Sequence, residues 1–184
     1  MVYTAYKDLP IEFEDPKNMK VTIYQSDRIN IGESYNLAKK VLSTKGLQLD
    51  DVIHEMIFVP EEYFGYEIGK HNHGNTNYTD NDQARAFGKT FYVGDGKSCI
   101  IYRQEALLLH IPIWKFLFLH EIGHAILNNR GDELALRAGV GNDMNEQNAT
   151  NEIIDFLNKD EIITIQQNNP NDFSCFRPIM TKVF

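Results

Sequence analysis

The stretch KFLFLHEIGHAIL, residues 115–127, limits how this chain can fold more than any other part of it. Apolar residues and one glycine fill it, except for one lysine, two histidines and a glutamate. Pro112 can start a helix here, and Gly131 can end it because glycine tolerates the turn back of the chain. The sequence therefore predicts a helix over residues 113–129 that places polar side chains in or against the core.

The polar residues of this run have the spacing HExxH. Residues four apart on an α-helix are offset by about 40° and rise by about 6 Å, so His120 and His124 can hold one ion between them. Glu121 lies beside the pair, where its carboxylate can reach a water at the metal instead of the metal itself. No arginine or lysine lies within a helical turn of Glu121 to offset the cost of burying its charge. The pattern predicts a divalent metal, and the donor types indicate zinc.

A third ligand must come from elsewhere, and a helix predicted over residues 145–159 offers two glutamates. Glu146 falls near the centre of the apolar face of this helix and Glu152 at its margin. The residues that define the face are Ala149, Ile153, Ile154, Phe156 and Leu157. Glu146 is the preferred third ligand and Glu152 the alternative. A different interpretation of Glu146 is a capping box, in which Asp143 caps the helix and Glu146 reaches back.

The rest of the chain predicts a single α+β domain over residues 1–184. With 42% hydrophobic residues in 184, the chain can bury a substantial core. Strands are predicted first, with one helix among them, and the two helices described above follow. The predicted elements are a strand at 20–25, a helix at 33–46 that ends at Gly46, a strand at 54–60, and a hairpin at 88–103 around Gly94-Asp95-Gly96.

The charge of the chain, its first residues and its two cysteines indicate what kind of partner and location to expect. The formal net charge is -8 and the basic residues are scattered, which argues against nucleic acid or an anionic membrane surface as the main partner. The first residues mix charges with aromatics, unlike a secretory signal or a spanning helix, and we expect a cytoplasmic protein. Cys99 and Cys175 have no paired metal-ligand spacing and are expected to be buried or free thiols.

Residues 86–157 resemble the HExxH zinc metallopeptidases of the zincin (gluzincin) type, in particular the compact ImmA/IrrE-like branch. The resemblance lies in the hairpin GKTFYVGDGKSCIIYR, in HEIGHAIL and in the glutamate helix that follows. In that branch the second helix typically reads glutamate, two residues, alanine, then asparagine or aspartate. Here EQNAT supplies Glu146 and Ala149, with Thr150 at the polar position.

The resemblance implies a compact fold, in which a small mixed sheet packs on an active-site helix and a following ligand helix. It also implies a zinc-dependent endopeptidase that hydrolyses a protein or peptide substrate. His120, His124 and a downstream glutamate would hold the zinc, and Glu121 would be the general base toward water at the metal. An extended substrate would add along an exposed strand of the hairpin. Tyr102 and Arg177 are among the candidates for stabilising the oxyanion. The alternative function is a zincin-shaped binding or sensor module with a structural zinc.

Overall fold

The structure is a computed structural model, which describes residues 11–14, 20–23, 31–59, 64, 87–103, 106, 109, 111–132, 142–168 and 174–184. Within these residues the strands are β1 (Ile11–Glu14), β2 (Lys20–Ile23), β3 (Ile53–Val59), β4 (Gly88–Gly94) and β5 (Lys97–Arg103). The helices are α1 (Ile31–Thr44), α2 (Leu49–Val52), α3 (Ile111–Arg130), α4 (Asn142–Ile153), α5 (Lys159–Asn168) and α6 (Arg177–Met180). Short 3-10 turns occupy Ile154–Phe156 and Ser174–Phe176.

The strands form one mixed sheet in the order β1-β2-β3-β5-β4. Strands β2, β3 and β5 run parallel, whereas β1 and β4 pair antiparallel with their neighbours at the two edges. The α+β class is as predicted, and the predicted strands at 20–25 and 54–60 correspond to β2 and β3. Strand β4 is therefore an edge strand, and it also contacts α3.

The β4–β5 hairpin turns where the sequence predicts it. Gly94, Asp95 and Gly96 all have positive φ, at 102°, 54° and 75°. This is the conformation in which glycine and aspartate are favoured over other residues, and it matches the twist of the two strands. The hairpin places alternate β5 side chains on opposite faces of the sheet. Ile100 and Tyr102 join the main core with the helices, while Cys99 and Ile101 pack with Phe64 on the other face.

Helix α3 is the centre of the main core and extends the predicted helix by two residues at its start and by one at its end. Its end is fixed by two hydrogen bonds, from the Gly131 amide to the Asn128 carbonyl and from the Asp132 amide to the Leu127 carbonyl. Gly131 has φ 74°, so the helix ends in a Schellman motif. Nearer its start, Trp114 and Phe118 contact two rings of the sheet, those of Phe58 and Tyr102.

The prediction of one helix over 145–159 is wrong in its extent. Helix α4 starts earlier and ends at Ile153, and a 3-10 turn follows. The reason is a new helix start: the Asn158 side chain accepts from the Glu161 amide, and the Glu161 carboxylate accepts from the Asn158 amide. This capping box satisfies amides that a continuous helix would bond internally, so α5 begins at Lys159 as a separate helix.

No helix among the described residues has both the length and the apolar character needed to cross a membrane. Residues 1–10, which include most of the N-terminal stretch considered above, lie outside the described part of the chain.

Candidate metal centre

Helices α3 and α4 approach each other closely at Gly123. A Cβ atom built on Gly123 would overlap the backbone carbonyl of Ala149. The lack of a side chain at Gly123 therefore permits this close backbone contact. The contact sets α4 beside the histidine face of α3, because His120 and Gly123 are three residues apart and lie on the same side of the helix.

The contact brings Glu146 to the two histidines. Glu146 Oε2 lies 2.8 Å from His120 Nε2, and Glu146 Oε1 lies 3.2 Å from His124 Nε2. The two Nε2 atoms are 3.1 Å apart. Among the described residues, these three side chains form the group whose ligand atoms all lie within 4.8 Å of one another. The preferred third ligand of the sequence analysis thus lies with the histidine pair.

A hydrogen-bond chain determines which nitrogen of His120 carries a proton. The Thr150 hydroxyl donates to the Cys175 carbonyl at 2.6 Å, and the same oxygen lies 3.0 Å from His120 Nδ1. Because a hydroxyl has a single proton, the Thr150 oxygen must accept from Nδ1–H. A neutral His120 therefore has its lone pair on Nε2, which faces Glu146 and is the tautomer that binds metals.

Electrostatics within the group favour the ionised form of Glu146. Burial alone would raise the pKa of Glu146, but the charges of His120 and His124 and their hydrogen bonds hold it far below its ordinary value. The carboxylate is negative, and the imidazole nitrogens that face it act as donors only when protonated. A divalent cation in the group would satisfy the carboxylate and both imidazole lone pairs at once.

Glu121 lies apart from this group and is held by β4. The Thr90 hydroxyl lies 2.5 Å from Glu121 Oε2 and 3.2 Å from the Glu121 carbonyl. A Cβ atom built on Gly88 would lie 3.0 Å from Glu121 Cγ and 3.1 Å from Tyr102 Cδ1, so the backbone of β4 packs directly on the glutamate. Glu121 is buried, yet its carboxylate has a hydroxyl donor and does not join the group of His120, His124 and Glu146.

The group lies on the side of α3 between β4 and α4, and two of its side chains are partly exposed. Glu121 and Gly123 are about 160° apart around the helix axis, with both histidines on the arc between them. The side chain of His120 is 3% exposed, that of His124 12% and that of Glu146 29%. Leu117, one turn before Glu121, is also half-buried. Solvent therefore reaches the group from the direction of His124 and Glu146.

The alternative ligand Glu152 lies elsewhere. Its carboxylate pairs with Lys45 at 2.7 Å and with Arg130 at 2.8 Å, and so connects α4 to the ends of α1 and α3. The capping-box interpretation of Glu146 also fails, because α4 begins at Asn142 and the Glu146 carboxylate contacts the histidines. Glu152 pairs with cations of the protein, whereas Glu146 faces two imidazole nitrogens.

Tyr102 is excluded as an oxyanion donor. Its hydroxyl donates to the Phe118 carbonyl at 2.8 Å, and the side chain is buried among aromatic rings. Burial, and then the charge of Glu121, raises the pKa of Tyr102 well above its ordinary value, so the phenol keeps its proton. Tyr102 supports the backbone one turn before Glu121 instead. Arg177 is exposed at the start of α6.

Both cysteines are free and buried, as expected. Cys99 packs on the far face of the sheet. Cys175 lies nearer the centre: burial raises the pKa of its thiol, and the charges of Glu146 and Glu121 raise it further. Cys175 thus contributes its backbone carbonyl, through Thr150, while its thiol stays protonated.

Neither Thr150 nor Thr90 was predicted to take part in the site, although Thr150 stands at the polar position of the motif described above. The role of Thr150 could have been predicted, since it lies one helical turn after Glu146 and so is on the same face of the helix. That of Thr90 could not, because Thr90 is 31 residues from Glu121 and the contact depends on how the sheet packs against α3.

The chain matches no protein-family model, no curated protein and no solved structure. The residues themselves fit zinc: two imidazole nitrogens and a carboxylate oxygen converge, the tautomer of neutral His120 is the one that binds metals, and Glu146 is partly exposed.

Proposed function

We propose that the protein is a zinc-dependent endopeptidase of the HExxH zincin type, similar to the ImmA/IrrE-like branch. The observation that carries the proposal is that two glutamates near the histidines have different partners. Glu146 faces the two histidine Nε2 atoms, while Glu121, next to His120 in sequence, is held separately by Thr90. A purely structural metal site needs a carboxylate such as Glu146 beside the histidines. It does not need a second carboxylate such as Glu121, held in place next to them.

In this proposal, His120, His124 and Glu146 hold the zinc. When bound, zinc supplies Lewis acidity, which polarises a peptide carbonyl and makes water more acidic. Glu121 takes a proton from the attacking water on its carboxylate and passes it to the leaving amine nitrogen. The substrate is an extended segment of a protein, whose backbone pairs with the side of β4 on which no further described strand lies, beside Glu121.

The accessibility of the group supports catalysis over the alternative of a sensor module with a structural zinc. Structural zinc sites are closed by four protein ligands, whereas catalytic sites have three and an open position. In the described part of the chain three ligand groups converge, and Glu146 is 29% exposed.

The proposal is tested with zinc content and with cleavage of a peptide library prepared from a digested proteome. Wild-type protein is expected to carry one zinc and to cleave. Glu121→Gln should keep the zinc and lose about 100-fold or more of the rate, because general-base catalysis contributes on the order of 100- to 10,000-fold. Glu146→Gln should lose zinc, and the matched control Glu152→Gln should keep both zinc and activity.

Three results would contradict the proposal. A wild type without stoichiometric zinc would exclude the metal site. Equal cleavage by Glu121→Gln would show that the base is wrongly assigned. Zinc bound tightly by a wild type that cleaves nothing in the library would favour the sensor module.

A further inference from the structure

Strand β4 contacts Glu121 through two residues that point to the same face of the sheet. Thr90 presents its hydroxyl to Glu121 Oε2 at 2.5 Å, and Gly88 brings the strand backbone against the aliphatic part of the glutamate. Residues two apart on a strand share a face, so the two contacts are made by one local piece of β4. Thr90 thus restrains the carboxylate of Glu121, and the backbone at Gly88 restrains its Cγ.

In the hydrogen bond between Thr90 and Glu121, the donor and the acceptor can be assigned. The Thr90 hydroxyl donates to Glu121 Oε2, because the carboxylate oxygen is the acceptor of this hydrogen bond. The Glu121 backbone carbonyl, 3.2 Å from the same hydroxyl, competes weakly for it. This hydrogen bond uses one lone pair of Oε2 and restrains rotation of the carboxylate, while the lone pairs of Oε1 are not used by Thr90.

The position of β4 links this contact to the substrate. Strand β4 is at the edge of the sheet, with β5 on one side and no further described strand on the other. A backbone that pairs with β4 on that other side would be bound by the same strand that contacts Glu121. In the proposed peptidase, one strand would therefore set both the position of the substrate and that of the base.

We propose that Thr90 is a positioning residue for the general base: its hydroxyl holds the Glu121 carboxylate in the single orientation from which Glu121 takes a proton. This inference rests on the proposed peptidase function. It assigns to β4 a role in the chemical step, in addition to the binding of substrate backbone.

The test compares Thr90→Val, which keeps the shape and removes the hydroxyl, with Thr90→Ser, which restores the hydroxyl. Thr44→Val is the matched control, because the Thr44 hydroxyl also donates to a protein oxygen, the Val41 carbonyl, but on remote helix α1. Zinc content and thermal midpoint are measured for all variants. Cleavage is measured on the proteome-derived peptide library and, for kcat and KM, on the peptide from it that wild type cleaves fastest.

Thr90→Val is expected to lower kcat about 10- to 100-fold with KM changed less than about 2-fold, the range typical of a misplaced catalytic group. Thr90→Ser should recover most of the rate, and Thr44→Val should match wild type. All variants should carry the same zinc. An unchanged kcat in Thr90→Val, a defect confined to KM, or a failure of Thr90→Ser to recover the rate would overturn the assignment.

A crystal structure of each variant separates this inference from the proposed function. Glu121 is expected in one orientation in wild type and in Thr90→Ser, and in two or more in Thr90→Val. A single unchanged orientation in Thr90→Val overturns the positioning role, whether or not the wild type cleaves peptides. Absence of cleavage by the wild type, with zinc bound and Glu121 disordered in Thr90→Val, would remove the peptidase and leave the positioning of Glu121 supported.

Discussion

Glu146 and Glu152 show that the neighbours of a residue, more than its chemical type, decide what it does. Both are glutamates on α4, six positions apart. Glu152 meets Lys45 and Arg130, so its charge is neutralised by the protein. Glu146 meets two imidazole nitrogens, of which the one on His120 carries a lone pair in the neutral form. Of the two glutamates, only Glu146 lies where an external cation is needed to neutralise its charge.

In the proposed site, Thr150 would act on the metal through its hydrogen bond with His120. We predict that Thr150→Val lowers zinc affinity about 10- to 100-fold, the usual effect of removing the partner of a metal-binding histidine. Without the hydroxyl, Nδ1 of His120 loses its acceptor and the ring can adopt the other tautomer. The measurement is competition for zinc against a chelator of known affinity.

The Thr150 substitution also leaves the Cys175 carbonyl without its donor, which costs on the order of 1–3 kcal/mol of folding free energy. Thr150→Ser keeps both hydrogen bonds and serves as the control. If Thr150→Val bound zinc as tightly as Thr150→Ser, the hydroxyl would have no role in the metal site.

At the scale of elements, the centre depends on two contacts of α3, one with α4 and one with β4. The α4 contact brings Glu146 to the histidines and depends on the missing side chain at Gly123. The β4 contact holds Glu121 and depends on Gly88 and Thr90. The two contacts lie on different sides of one helix. A change in the α4 contact should therefore move Glu146 and leave Glu121 in place, and a change in the β4 contact should do the opposite.

Gly123→Ala tests the helix contact. The added methyl group overlaps the Ala149 carbonyl, so α4 must move away and carry Glu146 with it. Overpacking of this kind destabilises by about 1–3 kcal/mol, and we expect a large loss of zinc affinity in addition. Both are measured, by denaturant unfolding of the zinc-free protein and by chelator competition.

Gly131→Ala is the control for a loss of stability alone. Gly131 has φ 74° with open space around its Cβ position, so alanine there should cost about 1–2 kcal/mol through backbone strain. Its zinc affinity should stay at the wild-type value. Equal zinc affinities in the two variants would mean that the close approach at Gly123 does not position Glu146.

At the scale of the whole molecule, the features that the sequence predicted are those that depend on short spacing. The length of α3, the hairpin turn at Asp95, and the placement of Glu146 on a buried face follow from periodicity and turn chemistry. The break before α5 was missed because a capping box at Asn158 competes with a continuous apolar pattern. Thr90 could not be predicted, because its partner is set by the packing of a sheet on a helix.

The most direct test of the account is a crystal structure of the zinc-loaded protein, with anomalous diffraction measured at the zinc absorption edge. We predict one zinc per chain, bound at about 2.0–2.2 Å by His120 Nε2, His124 Nε2 and a carboxylate oxygen of Glu146, with a further position open to solvent. No zinc peak between these atoms, or a fourth protein ligand that closes the site, would contradict the account.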